Sequence, residues 1–133
     1  MCVVTVLPHA DGFLITSNRD EHRSRPDAQP PQWHTYNGRP VLFPKDPPGG
    51  GTWLAATDRA VVCLLNGAFE QGPFGPGGAA AAGARSRGLA VLDFFAYDDA
   101  LQFVNGYDFG PLAPFTMVIA QPANPVHQLY ELR

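Results

Sequence analysis

Cysteine is scarce here: Cys2 and Cys63 are the only two in 133 residues. That excludes a secreted disulfide scaffold, which a chain long enough to bury its own core does not need. Charge is sparse as well. Asp, Glu, Lys and Arg make up 16% of the chain, and a formal net charge of −3 with an isoelectric point near 5.7 leaves no basic footprint for nucleic acid or for an anionic membrane surface. No apolar run approaches the roughly 18 residues that span a bilayer, and no basic leader with an apolar stretch opens the chain. The expectation is a cytoplasmic protein with no nucleic-acid partner and no membrane insertion. The histidines His9, His22, His34 and His127 show no metal-ligand spacing. Gly49-Gly50-Gly51 lacks the Lys-Ser/Thr and the following helix of a phosphate loop. Neither a metal nor a cofactor is expected.

What the chain does have is apolar content, 45% of its residues, enough for one domain over residues 1–133 with a core of its own. Gly and Pro number 14 each, so long irregular loops are expected. Residues 2–7 are β-branched and apolar on both alternating faces, the pattern of a strand covered on both sides. Asp11-Gly12 supplies turn chemistry, and Phe13 to Ser17 returns as a second, antiparallel strand. From His22 to Gly51 the density of Pro, Gly and polar residues predicts a long loop anchored by Trp33, Tyr36 and Phe43, with a short strand at Pro40 to Phe43. Thr52 to Ala56 and Ala60 to Leu65 form a second hairpin, and the glycines before it are expected to let Trp53 approach the first hairpin closely. Gly67 to Gly83 reads as a mobile connection. Ser86 caps a helix carrying Leu89, Leu92 and Ala96 on one face, Asp98 caps a shorter one from Asp99 to Val104, and Phe115 to Ala120 and His127 to Leu132 close the sheet. Four strands, two helices and two strands, with no Gly-rich βαβ unit, predict an α+β fold of mainly antiparallel sheet with helices on one face.

The apolar run Phe13-Leu14-Ile15 gives way to Asn18-Arg19-Asp20-Glu21. In an antiparallel hairpin, paired positions sum to a constant. A two-residue turn at Asp11-Gly12 sets Cys2 opposite Glu21, and a four-residue loop from His9 to Gly12 sets it opposite Arg19. Either register joins Cys2 to the polar run. Once Met1 is removed, Cys2 carries a thiol and an α-amino group, so one residue supplies nucleophile and general base and needs no histidine. Arg19 would favour the thiolate, and Asp20 would orient the ammonium. The chemistry is acyl transfer or amide hydrolysis. The same residues also admit a structural reading, in which Cys2 is a small buried side chain and Arg19 and Asp20 are an ion pair locking the hairpin end.

Met1-Cys2, Asn18-Arg19-Asp20-Glu21, Ser24-Arg25-Pro26, Gly50-Gly51-Thr52-Trp53-Leu54, Leu65-Asn66 and Arg85-Ser86-Arg87-Gly88 together resemble the NRDE family, also named for transport and Golgi organisation. The similarity runs from Met1 to about Ala120. It implies an N-terminal-nucleophile hydrolase fold, an αββα sandwich related to cysteine-type acylases of the penicillin V and bile-salt kind. At this length the sandwich would be incomplete, the N-terminal portion of the family's fold. Carried onto this chain, the catalytic roles fall on Cys2, Arg19, Asp20 and, as oxyanion donor, Asn66, with Asn18, Glu21 and Trp53 as substrate-binding candidates. Here Arg19 and Asp20 are adjacent, whereas the acylase pattern separates its Arg and Asp, which makes Glu21 a rival for the acidic role.

Two other functional classes stand beside the hydrolase. Relatives linked to haem trafficking and lipid handling imply a non-catalytic carrier of haem or of a lipid or acyl ligand, with Cys2 or a histidine as an axial ligand. An interaction protein, paired with another chain or with its own copy as a homo-oligomer across the open sheet edge after Leu132, is the third. The partner common to the first two is a small-molecule amide or acyl ligand. Arg85 and Arg87, at the start of the predicted helix, are candidates for a ligand's carboxylate or phosphate.

Overall fold

The computed structural model describes residues 2–67, 85–123 and 127–133. The expected connection at Gly67 to Gly83 lies, after its first residue, outside the described residues. Strands β1 (Val3–His9) and β2 (Gly12–Asn18) form a two-stranded antiparallel sheet. Six further strands, β3 (Gln29–Tyr36), β4 (Arg39–Lys45), β5 (Leu54–Ala56), β6 (Val61–Asn66), β7 (Phe115–Gln121) and β8 (Gln128–Leu132), make one sheet in sequence order, every pair antiparallel. Between β6 and β7 lie helix α1 (Arg87–Asp93), a 3-10 turn at Phe94–Ala96, and helix α2 (Ala100–Gly106). The fold is α+β and mainly antiparallel, as the order of elements predicts. Among the described residues no helix is long and apolar enough to cross a membrane.

Strand parity assigns the layers, because successive side chains point to opposite faces. On β6, Val62 and Leu64 join Ala90, Val91 and Leu92 of α1 in the apolar core, together with Phe94, Phe103, Met117 and Ile119. Cys63, between them and fully buried, faces the other way and meets the Ser17 hydroxyl of β2. Helices therefore cover one face of the large sheet, and the β1–β2 hairpin lies on the other. The hairpin's inner face carries Val4, Val6, Ile15 and Ser17, all partly buried, while Val3, Leu7 and Leu14 point outward and are about half exposed. Phe13 edges onto His127, just before β8, with ring centroids 6.3 Å apart.

The observed hairpin register pairs Val3 with Asn18 and His9 with Gly12. This is the four-residue-loop register of the two predicted, with Ala10 and Asp11 at the tip and Gly12 at a φ of 146° that favours glycine. The second difference is larger. Most of the expected loop from His22 to Gly51 is a hairpin, β3–β4, turned by Asn37-Gly38 at φ values of 51° and 74°, which suit a type I′ turn. The prolines of β3 are tolerated because β3 is the edge of the sheet and its register shifts between Gln29 and Gln32, where Pro30 and Pro31 sit. The cap of α2 also moves by one residue: Asp99 accepts from the Gln102 backbone N–H at 2.8 Å, so Asp98 precedes the helix.

Two contacts fix α1 over the sheet. The Asp93 carboxylate accepts from the Tyr36 hydroxyl at 2.6 Å and the Tyr107 hydroxyl at 2.9 Å, and pairs with Arg85 at 2.7 Å. Burial first, and the bond to Asp93 second, push the Tyr36 hydroxyl up to about 12. At the other end, the Thr52 backbone N–H donates to the Gly88 carbonyl at 3.0 Å. A Cβ on Gly51 would stand 2.3 Å from the Gly88 carbonyl carbon. Gly51 is thus required by the approach of α1; Trp53 itself reaches the end of the first hairpin.

Candidate functional site

The site forms where β2 ends. Continued by one step, the hairpin register sets Cys2 opposite Arg19. The Cys2 sulfur accepts from the Asp20 backbone N–H at 3.4 Å, and its thiol lies 3.7 Å from the Asp20 carbonyl oxygen. Asp20 thus meets the sulfur through its main chain. The sulfur opens onto a cavity of about 360 Å³ whose walls also include Asn18, Arg19, Glu21, Trp53 and Asn66. Six of the seven predicted site residues therefore share one pocket, and the seventh, Asp20, holds the first of them.

Arg19 is fixed from three sides. It donates to Asp46 at 2.9 Å and pairs with Glu21 at 3.1 Å, and its guanidinium carbon lies 4.6 Å from the centroid of the Trp53 ring. Stacking on the indole face holds the guanidinium plane and contributes about 1 kcal/mol. Trp53 follows directly on Gly51 and Thr52, whose backbone is pressed against α1, so the helix contact sets the platform on which Arg19 rests.

Asp46 is the charged centre that the sequence did not reveal. It is 8% exposed and opens the turn after β4, whose Gly50 N–H donates to its carbonyl at 2.8 Å. Its carboxylate accepts from Arg19, from Arg25 at 3.1 and 2.5 Å, and from the Gly49 backbone N–H at 3.2 Å. Burial alone would push this carboxyl up. The bond from Arg25, the charges of Arg25 and Arg19 and the Gly49 N–H outweigh it and hold Asp46 below the usual carboxylate range. The bond to Asp46 in turn raises Arg25. Residue 25 belongs to the quoted Ser-Arg-Pro motif, but nothing local to either residue says that positions 25 and 46 meet.

The opposite wall comes from the start of α1, with Ser86, Arg87 and Gly88. Arg85 and Arg87, read together in the sequence, separate here. Arg85 turns away to Asp93 and Tyr107, whereas Arg87 lines the pocket and donates one N–H to the Pro114 carbonyl at 2.9 Å. Burial pulls the Arg87 guanidinium below its ordinary range, with Glu21 and Cys2 across the pocket acting the other way. Asn66 ends β6, exposed at the mouth, and the following Gly67 N–H donates to the Pro114 carbonyl at 2.9 Å. Cys63 plays no part in the pocket; burial pushes its thiol up, against the bond from Ser17. The arrangement presents a partly exposed thiol beside a main-chain donor, two carboxamides and three guanidinium groups in one concave space, the parts that acyl transfer calls for.

A family model described as Transport and Golgi organisation 2 matches residues 1–129. The chain belongs to that family. It is the NRDE family under its other name, and the match spans β1 to β7, the first two residues of β8 and all the pocket residues named above. No curated protein matches the chain.

Proposed function

We propose that this member of the Transport and Golgi organisation 2 family is an N-terminal-nucleophile amidohydrolase or acyltransferase whose nucleophile is Cys2 after loss of Met1. The observation that carries the reading is the position of the Cys2 sulfur, bonded to the Asp20 backbone N–H at 3.4 Å and open to a cavity that Arg19 and Asn66 also line. The thiolate attacks the carbonyl carbon of an amide, a C–S bond forms, and the carbonyl electrons move to oxygen. The Asn66 carboxamide donates to that oxyanion. Collapse expels the amine, which takes its proton from the α-ammonium of Cys2, oriented by Asp20 or Glu21. Water then attacks the thioester, giving its proton to the α-amine and releasing the acid and the thiolate. A second amine in place of water makes the reaction acyl transfer. Arg19, locked by Asp46 and Trp53, keeps the charge beside the sulfur fixed through the cycle, and Asn18, Glu21 and Trp53 contact the substrate. The N-terminal-nucleophile sandwich implied by the resemblance fits the helix–sheet–hairpin layering, with the hairpin as the start of its second sheet.

The charged walls of the cavity favour this chemistry over carriage of haem or a lipid. The test is intact mass combined with acyl trapping. Mature protein lacking Met1, incubated with p-nitrophenyl acetate, should show a burst of one acetyl per chain that Cys2→Ala abolishes. Met1 retained on every molecule, or a burst unchanged in Cys2→Ala, overturns the reading.

A further inference from the structure

Charge among the lining side chains of the pocket does not balance. The lining holds the guanidinium groups of Arg19, Arg25 and Arg87 and the carboxylates of Glu21 and Asp46, three positive against two negative, which leaves one positive charge. The pairing says which group carries it. Asp46 is taken by Arg19 and Arg25, and Glu21 by Arg19. Among the described residues no carboxylate lies within ion-pair distance of Arg87, whose hydrogen bond is to a neutral carbonyl, that of Pro114. A guanidinium offers five N–H donors, so most of this one's are left for something else. Beside Arg87, the Ser86 side chain lines the same wall and makes no capping bond to α1. A partly buried, unmatched guanidinium is costly unless an anion completes it.

We propose that the ligand of this pocket carries a carboxylate, which Arg87 binds in fork geometry with the Ser86 hydroxyl as an additional donor. A planar carboxylate matches the flat guanidinium and the donors it has left. A phosphate dianion would bring two negative charges to one guanidinium and face Glu21, which already acts on Arg87 across the pocket. As a statement about substrate class the proposal rests on Cys2 being the nucleophile, and it narrows the substrate to an amide with a carboxylate near the scissile bond, as in an N-acylated amino acid. The binding itself needs no turnover.

Native alkylation of Cys2 reads this out, because Cys63 is fully buried and unreactive in the folded protein. Two measurements are made by intact mass. The first compares protection of Cys2 by N-acetylglycine, by its neutral counterpart N-acetylglycinamide and by inorganic phosphate. The second compares the rates of iodoacetate and iodoacetamide in the unsubstituted protein, Arg87→Gln and Arg87→Lys, with glutathione as the free-thiol reference. N-Acetylglycine should protect about tenfold better than the amide. The ratio of iodoacetate to iodoacetamide rates should exceed that of glutathione, fall to it in Arg87→Gln, and survive in part in Arg87→Lys. Equal protection by acid and amide, or by phosphate and acid, overturns the proposal. So does Arg87→Gln slowing both reagents alike, since Arg87 would then serve the sulfur and not a ligand. If Arg87→Gln fails to fold, the protection series on the unsubstituted protein and the Arg87→Lys ratio decide. Acid preference without an acyl burst would sink the hydrolase reading and leave the carboxylate seat standing; a burst without acid preference would do the reverse.

Discussion

Arg19 and Asp46, 27 residues apart in the chain, meet at 2.9 Å, and through this bond the end of the first hairpin is tied to the loop after β4. Arg25 completes the cluster on the second carboxylate oxygen. Removing one member of a buried charge cluster costs far more than the cluster contributes as a whole, because the remaining charges lose their partner.

Asp46→Ala should therefore destabilise the protein by roughly 3 kcal/mol, leaving Arg19 and Arg25 without their shared acceptor. Urea unfolding checks this. A loss under about 1 kcal/mol would place the cluster with ordinary surface pairs.

Stability should also fall at both ends of the pH range. Asp46 is held below its ordinary value in the fold, so its contribution is complete above the unfolded carboxyl value of about 4 and is lost as pH drops through the lower folded value. Tyr36, pushed up to about 12, acts in the opposite sense: its contribution is complete below the unfolded value of about 10 and is lost as pH rises toward the folded one. Denaturation midpoints across pH should show both flanks. Asp46→Asn should reduce the acid flank and not the alkaline one, and Tyr36→Phe should reduce the alkaline flank in part, since Tyr107, partly buried and bonded to the same Asp93, is raised as well.

Gly51→Ala places a methyl group against the Gly88 backbone, where no side chain can yield. The expected cost is about 2 kcal/mol from forced separation of α1 and the loop, with slower Cys2 acylation as Trp53 and Arg19 shift. A variant as stable and as reactive as the parent would contradict the close approach.

The two adjacent aspartates before α2 give a sharper comparison. Asp99→Ala removes a cap bonded to Gln102 and should cost about 1 kcal/mol. Asp98→Ala removes an exposed contact with Arg59 at 3.4 Å and should cost a few tenths. Thermal melts of the pair settle which aspartate starts the helix.

Much of this site was legible before any coordinates. Hairpin arithmetic brought Cys2 to the Asn-Arg-Asp-Glu run because antiparallel pairing obeys a sum rule, and either turn length gave the same meeting. The strand at β3 was not legible. Pro30, Pro31 and the prolines around Asp46 read as loop, since the tolerance of an edge strand for proline depends on which strand ends up at the edge, a tertiary fact. The Asn37-Gly38 dipeptide carried the missing hairpin signal. Asp46 and Arg25 were illegible for a different reason: their ion pair joins two irregular segments with no common period, so no pattern in either segment points to the other. Arg85 and Arg87 looked equivalent in sequence and part company because Arg85 lies in extended backbone bridged to Leu112, before the helix that Arg87 begins.

The nucleophile candidate and its anchor at Asp20 ride on a two-stranded ribbon that shares no ladder with the main sheet. Side-chain contacts, the Arg19–Asp46 bond at one end among them, seat that ribbon without any shared backbone ladder, so it is the layer best placed to peel away while the six strands behind it stay paired. Warming should therefore extinguish reactivity at Cys2 several degrees before the bulk of the molecule melts, and amide exchange in β1 and β2 should outpace exchange in β6 and β7.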